Sequence, residues 1–203
     1  MKRNVLVTTL ALGLVAMAAA GCAGLLPRSA PSQFYVLSVQ PAGGSEAALA
    51  IALGVGPVQL PGYLDRPQIV TRVGPNEVRY AETHRWASLL QQGVVNVLLA
   101  DLGSRLRTDR LAAFPFALGL PRDYDVSVEF FHFEPSSNGE VLIEAIWRIS
   151  DGRTGDDLLL RRASLSRSAP PGDFAATTGA LSDALGELAD QIAAGLREIH
   201  ARR

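Results

Sequence analysis

Two periods run through this chain, and each marks a different kind of element. Val126, Val128, Phe130 and His132 recur at every second position within 125–133, and Val141, Ile143, Ala145, Trp147 and Ile149 do so within 141–149. Alternation of this kind predicts strands with one buried face. Pro135-Ser136-Ser137-Asn138-Gly139 lies between them and predicts a hairpin loop. Gly74-Pro75-Asn76 predicts a second hairpin, joining strands over 68–73 and 77–82. Asp151-Gly152 and Thr154-Gly155 turn the chain into a last strand over 158–166, and shorter strands are expected over 33–39, 49–58 and 111–118.

The other period is three to four. Trp86, Leu89, Leu90, Val94, Val97, Leu98, Asp101 with Leu102, and Leu106 form a stripe that predicts a helix over about 85–107, with Thr83 as its N-cap. Phe174, Thr178, Leu181, Leu185, Leu188, Ile192, Leu196 and Ile199 predict a second over about 173–200, starting at Asp173 after Pro170-Pro171-Gly172. Its stripe suits packing against a sheet, with a coiled-coil partner as the alternative. Together these give an α+β fold: a mostly antiparallel sheet in hairpins, packed against two long helices.

The N-terminus follows a different pattern. Lys2 and Arg3 precede an uncharged run from Val5 to Ala20, which ends in Ala19-Ala20-Gly21-Cys22. The run is Ala- and Gly-rich and shorter than the roughly 20 apolar residues of a membrane span, as in a secretory signal. A cysteine directly after Gly21 matches a lipobox, in which cleavage after Gly21 leaves Cys22 as the acylated N-terminus. Ala19 stands where leucine is commoner. Ala23, in place of an aspartate that would favour inner-membrane retention, points to the outer membrane and its periplasmic side. The expected organisation is a signal peptide over 1–21, a lipidated N-terminus and flexible tether over 22–32, and a periplasmic α+β domain over 33–203.

Composition removes several classes. The 203 residues carry a formal net charge of −1, without the basic excess of a nucleic-acid-binding surface. One cysteine allows no intramolecular disulfide, and with three histidines it leaves little for a structural zinc site. Gly54-Val55-Gly56 has no third glycine at position 59, which is Gln, so it reads as a kinked strand end before Pro57. His84 beside Glu82 and Arg85 suits a polar helix start better than an acid–base pair. His132 reads as a core histidine and Trp86 as a core anchor. No catalytic residues, metal ligands or cofactor site are predicted.

One stretch is dense in distinctive residues. Leu60-Pro61-Gly62-Tyr63-Leu64-Asp65-Arg66-Pro67-Gln68-Ile69-Val70-Thr71-Arg72 is followed by Glu82-Thr83-His84-Arg85-Trp86, expected to open the first helix. With Tyr35-Val36-Leu37 and the closing helix, this pattern resembles the PqiC (YmbA-like) auxiliary lipoproteins of intermembrane lipid transport, over roughly residues 33 to 200. Ser88-Leu89 departs from the acidic residue and proline expected after Trp86-Ala87. The resemblance implies a non-enzymatic docking subunit for a mammalian-cell-entry-domain (PqiB- or MlaD-like) tunnel protein, working with inner-membrane permease components and forming a homo-oligomeric ring. It makes Tyr63, Asp65, Arg66, Arg72, Glu82 and Arg85 candidates for a partner interface. For Asp65 and Arg66 a turn clamped by their own ion pair fits equally well. A structural envelope lipoprotein and a periplasmic hydrolase are the competing readings.

Overall fold

The computed structural model describes residues 30–43, 46–116 and 121–202. Gly21 and Cys22 lie outside the described residues, as do the tether up to Ser29 and the end of the strand expected over 111–118. Contacts divide the chain into Met1–Pro31 and Ser32–Arg203, and the second unit carries the fold below.

Its elements run β1 (Gln33–Tyr35), β2 (Leu53–Gln59), a 3₁₀ turn (Gly62–Leu64), β3 (Gln68–Gly74), β4 (Glu77–Trp86), α1 (Leu90–Leu106), β5 (Leu111–Ala113), β6 (Tyr124–Pro135), β7 (Glu140–Asp151), β8 (Asp157–Ser168) and α2 (Phe174–His200). They form a three-stranded sheet in the order β1-β4-β3 and a five-stranded sheet in the order β5-β2-β6-β7-β8. The fold is α+β, as expected, but the sheets are mixed. The hairpins β3–β4, β6–β7 and β7–β8 are antiparallel, whereas β1–β4, β2–β5 and β2–β6 are parallel. Parallel pairs join segments far apart in sequence, so no local turn signal announces them.

The β6–β7–β8 meander follows from its pattern. Val141, Ile143, Ala145, Trp147 and Ile149 are all fully buried. On β6 the alternation holds through Phe130, then a register shift between Phe130 and His132 turns Phe133 into the core instead. His132 is therefore not a core histidine; its side chain is 30% exposed. A bulge inserts one residue, and every side chain after it changes face.

The closing helix obeys its stripe. Leu181, Leu185, Leu188, Ile192 and Leu196 are fully buried in the common core with Trp147 and Ile149. Asp173 caps it, its Oδ1 accepting from the Ala176 N–H at 2.9 Å, and Arg197 and His200 face the negative end of the helix dipole in the last turn. The first helix is shorter than expected. Residues 85 and 86 complete β4, where Arg85 and Trp86 pair with Phe34 and Tyr35, and α1 begins only at Leu90. Trp86 is buried, so its apolar side chain matches helical spacing while its backbone belongs to the sheet. His84 and Thr83 lie on β4 as well, and Thr83 is not an N-cap. Arg107 ends α1 in the left-handed conformation (φ 55°).

Gly54 and Gly56 have steric rather than cofactor roles. A Cβ on Gly54 would stand 2.2 Å from Asp125 Oδ1 and 2.7 Å from the Phe116 ring, and Gly56 has a φ of 119°. Among the described residues no helix is long and apolar enough to cross a membrane.

Candidate functional site

Two of the residues singled out from the sequence meet at a third that was not. Tyr63 sits in the 3₁₀ turn, Arg72 on β3 and Glu134 near the end of β6. The Glu134 side chain is 2% exposed, and its carboxylate gathers four donors. Arg72 Nε donates to Oε1 at 2.7 Å, and His132 Nδ1 lies 2.9 Å from the same oxygen. The Phe133 N–H donates to Oε2 at 2.7 Å, and the Tyr63 hydroxyl lies 3.0 Å from both oxygens. Arg72 Nη2 donates to the Tyr63 oxygen at 3.0 Å, closing a ring of charge-assisted bonds. A carboxylate accepts only, so His132 carries its proton on Nδ1.

Backbone contacts set this geometry. Ser137 N–H donates to the Arg72 carbonyl at 2.8 Å, and Arg72 bridges Ser136 in parallel. The β6–β7 loop therefore lies beside β3 and brings Glu134 against it. Burial and the adjacent carboxylate push the Tyr63 hydroxyl up to about 12, because ionising it would place a second negative charge beside Glu134. Arg72 is held above its ordinary value by Glu134 and Tyr63, against the opposing effect of burial. The carboxylate's oxygens are engaged by these donors, and its charge matches that of the guanidinium. This cluster stitches the two sheets together; it does not assemble a nucleophile.

The remaining candidates do not join it. Arg66 Nε donates to the Tyr63 carbonyl at 2.9 Å, and its guanidinium lies 3.8 Å from the centroid of the Tyr80 ring. Asp65 is exposed and makes no ion pair with Arg66, so the expected turn clamp is a stacked cation instead. Glu82 is exposed, and Arg85 reaches its backbone carbonyl at 3.5 Å rather than its carboxylate. His84 packs on Phe174 at 4.1 Å between ring centroids, with Nδ1 2.8 Å from the Tyr35 hydroxyl.

A second buried polar cluster also escaped the sequence. Asp101 on α1 is fully buried and accepts from the Gln40 N–H at 2.8 Å. Arg105, one turn on, donates to Asp190 of α2 at 2.6 Å and to the Gly186 carbonyl at 3.0 Å. Burial raises the Asp101 carboxyl above its usual range, opposed by the Gln40 N–H and Arg105. The cluster fastens the segment after β1 across both helices. Asp101 fell within the apolar stripe of the predicted helix and Glu134 in phase with Val126, Val128 and Phe130, and a carboxylate on an apolar phase is the one signal that could have found either. Among the described residues no group of three or more His, Cys, Asp and Glu side chains could hold a metal ion.

A search of curated proteins gave no match. The chain is similar in structure to protein XCC0632 from Xanthomonas campestris, with a TM-score of 0.73, 16% identity, and coverage of 84% of this chain and 98% of that one. It is also similar to a crystal structure described only as an uncharacterized protein, with a TM-score of 0.67, 21% identity, and coverage of 82% and 99%. At these identities both support the fold alone. The model of the ABC-type transport auxiliary lipoprotein component family matches residues 35–193, which is well over half of the chain, runs from the end of β1 into α2 and includes the Tyr63–Arg72–Glu134 cluster. The chain therefore belongs to the ABC-type transport auxiliary lipoprotein component family.

Proposed function

We propose that this protein is an outer-membrane-anchored, periplasmic accessory of an intermembrane lipid transport system, docking a mammalian-cell-entry-domain tunnel protein without catalysing a reaction. The observation that carries the reading is the family match over residues 35–193, joined to Gly21-Cys22 at the end of the one signal-like segment. In this reading Cys22 carries the acyl chains, energy comes from separate permease components, and copies of the domain form a ring around the end of the tunnel. No cofactor is needed for that role.

The geometry supports a narrower contact surface than the sequence offered. Tyr63 and Arg72 direct their polar groups to Glu134, and Arg66 covers Tyr80. Asp65 and Glu82 are exposed and so remain available to a partner, with the half-buried Arg85 three positions after Glu82. The test is co-purification of the tagged full-length chain from envelope fractions, with cross-linking before extraction. The expected result is capture of a cell-entry-domain protein, with Cys22→Ser releasing the chain from the membrane pellet. A chain that sediments with the outer membrane but captures no such protein would favour the structural-lipoprotein reading.

A further inference from the structure

The three most exposed large apolar side chains among the described residues belong to neighbouring segments at one corner of the fold. Leu89 is 67% exposed, and Phe34 and Val36 are 65% exposed each. Phe34 pairs with Arg85 across β1–β4, the Ala87 N–H donates to the Tyr35 carbonyl at 2.9 Å, and Ser88, adjacent to Leu89, lines the same small cavity as Val36. Tyr35 and Leu37, at the alternate positions, pack on the core, so Phe34 and Val36 point away from it. At their edge stands Arg85, whose guanidinium is under-used. Its Nε is buried without a hydrogen-bond partner among the described residues, and Nη2 has only the Glu82 carbonyl at 3.5 Å, so a phosphate would be met by the terminal nitrogens.

We propose that Phe34, Val36 and Leu89, with Arg85 beside them, seat the domain on the bilayer surface, the apolar side chains entering the headgroup–acyl boundary and the guanidinium meeting a lipid phosphate. This rests on the anchor at Cys22 proposed above. Chain length selects the bilayer as the occupant. Phe34 follows Cys22 by twelve residues, a reach of at most about 40 Å when fully extended and about 20 Å as a flexible chain. A patch tethered so closely meets the membrane at a high effective concentration, and weak contacts then suffice. Three side chains fall far short of the ~800 Å² that each partner buries in a stable protein complex. Leu89 also borders a groove of about 390 Å³ with Val95, Phe114 and Asp65. The Asp65 carboxylate would be repelled by anionic lipid, so the seat ends at Leu89.

The test uses the full-length lipoprotein, whose single cysteine is occupied by its acyl chains, so an introduced cysteine carries the one spin label. Val36→Cys, Leu89→Cys and a control on the edge strand of the other sheet, Leu160→Cys, are labelled and reconstituted into phosphatidylethanolamine vesicles with a minority of phosphatidylglycerol. The expected result is an oxygen-to-nickel-chelate collision ratio several-fold higher at residues 36 and 89 than at residue 160. Adding Phe34→Ser and Arg85→Gln to the Val36→Cys chain should return its ratio to that of the control. Ratios equal at all three positions, in protein that sediments with the vesicles, would overturn the seat and leave the anchor standing. Protein that fails to sediment would overturn both. Labels at 36 and 89 shielded from both reagents and broadened by a neighbouring spin would overturn it in favour of a second copy of the chain.

Discussion

Replacing Glu134 by glutamine keeps the shape of the side chain and removes its charge. The carboxylate now serves Arg72, Tyr63, His132 and the Phe133 N–H together. A glutamine has one acceptor oxygen, and with that turned to Arg72 its amide nitrogen faces the Phe133 N–H, donor against donor. An unsatisfied buried donor costs about 1–3 kcal/mol, and removing one member of a buried ion pair costs about 3–5 kcal/mol. The Arg72 side chain is 25% exposed and keeps some water, and the glutamine oxygen still accepts from it, so the ion-pair loss is well below that of a fully buried pair and the two costs together stay below the sum of those ranges. Glu134→Gln should therefore destabilise by about 2–4 kcal/mol, and at about 2–4 °C per kcal/mol for a domain of this size the melting temperature should fall by about 5–15 °C. Circular-dichroism melting measures it, with Arg72→Met and the double variant completing a cycle that should show a coupling of about 1 kcal/mol or more. A Glu134→Gln melt within about 0.5 kcal/mol of the parent, the range of an ordinary surface change, would refute the stitch between sheets, as would a cycle that is simply additive.

Other outcomes follow from the same structure. Leu185→Ala, at a fully buried position on α2, should cost about 2–5 kcal/mol in the same melt, and an unchanged melt would mean the helix stripe does not face the core. Tyr63 has a native value raised above the unfolded one, so its contribution is intact below about pH 10 and is lost as pH rises toward about 12. Ultraviolet titration of tyrosine ionisation should show a late-ionising group that Tyr63→Phe removes. Arg66→Glu loses a half-exposed cation–π contact of about 0.5–1 kcal/mol, so a small melting shift with impaired self-assembly in light scattering would place this loop at a partner interface, and unchanged assembly would remove it.

The elements with local, regular signals were legible in the sequence. The β6–β7–β8 meander and α2 follow from period and turn chemistry, because a half-buried strand and a one-sided helix each repeat their burial at a fixed interval. The α+β class followed from their sum. Tertiary structure decided the rest. Trp86 satisfied helical spacing yet completes β4, because pairing with Tyr35, far away in the chain, outweighed the local pattern. One bulge on β6 sent His132 outward and Phe133 inward, and alternation alone cannot foresee an inserted residue. Of the candidate residues, Tyr63 and Arg72 were visible as part of a dense motif, but their partner Glu134 lies more than sixty positions later. Whether a charged side chain faces solvent, a partner or another buried charge depends on what the fold places opposite it, and that information is not local to any stretch of the chain.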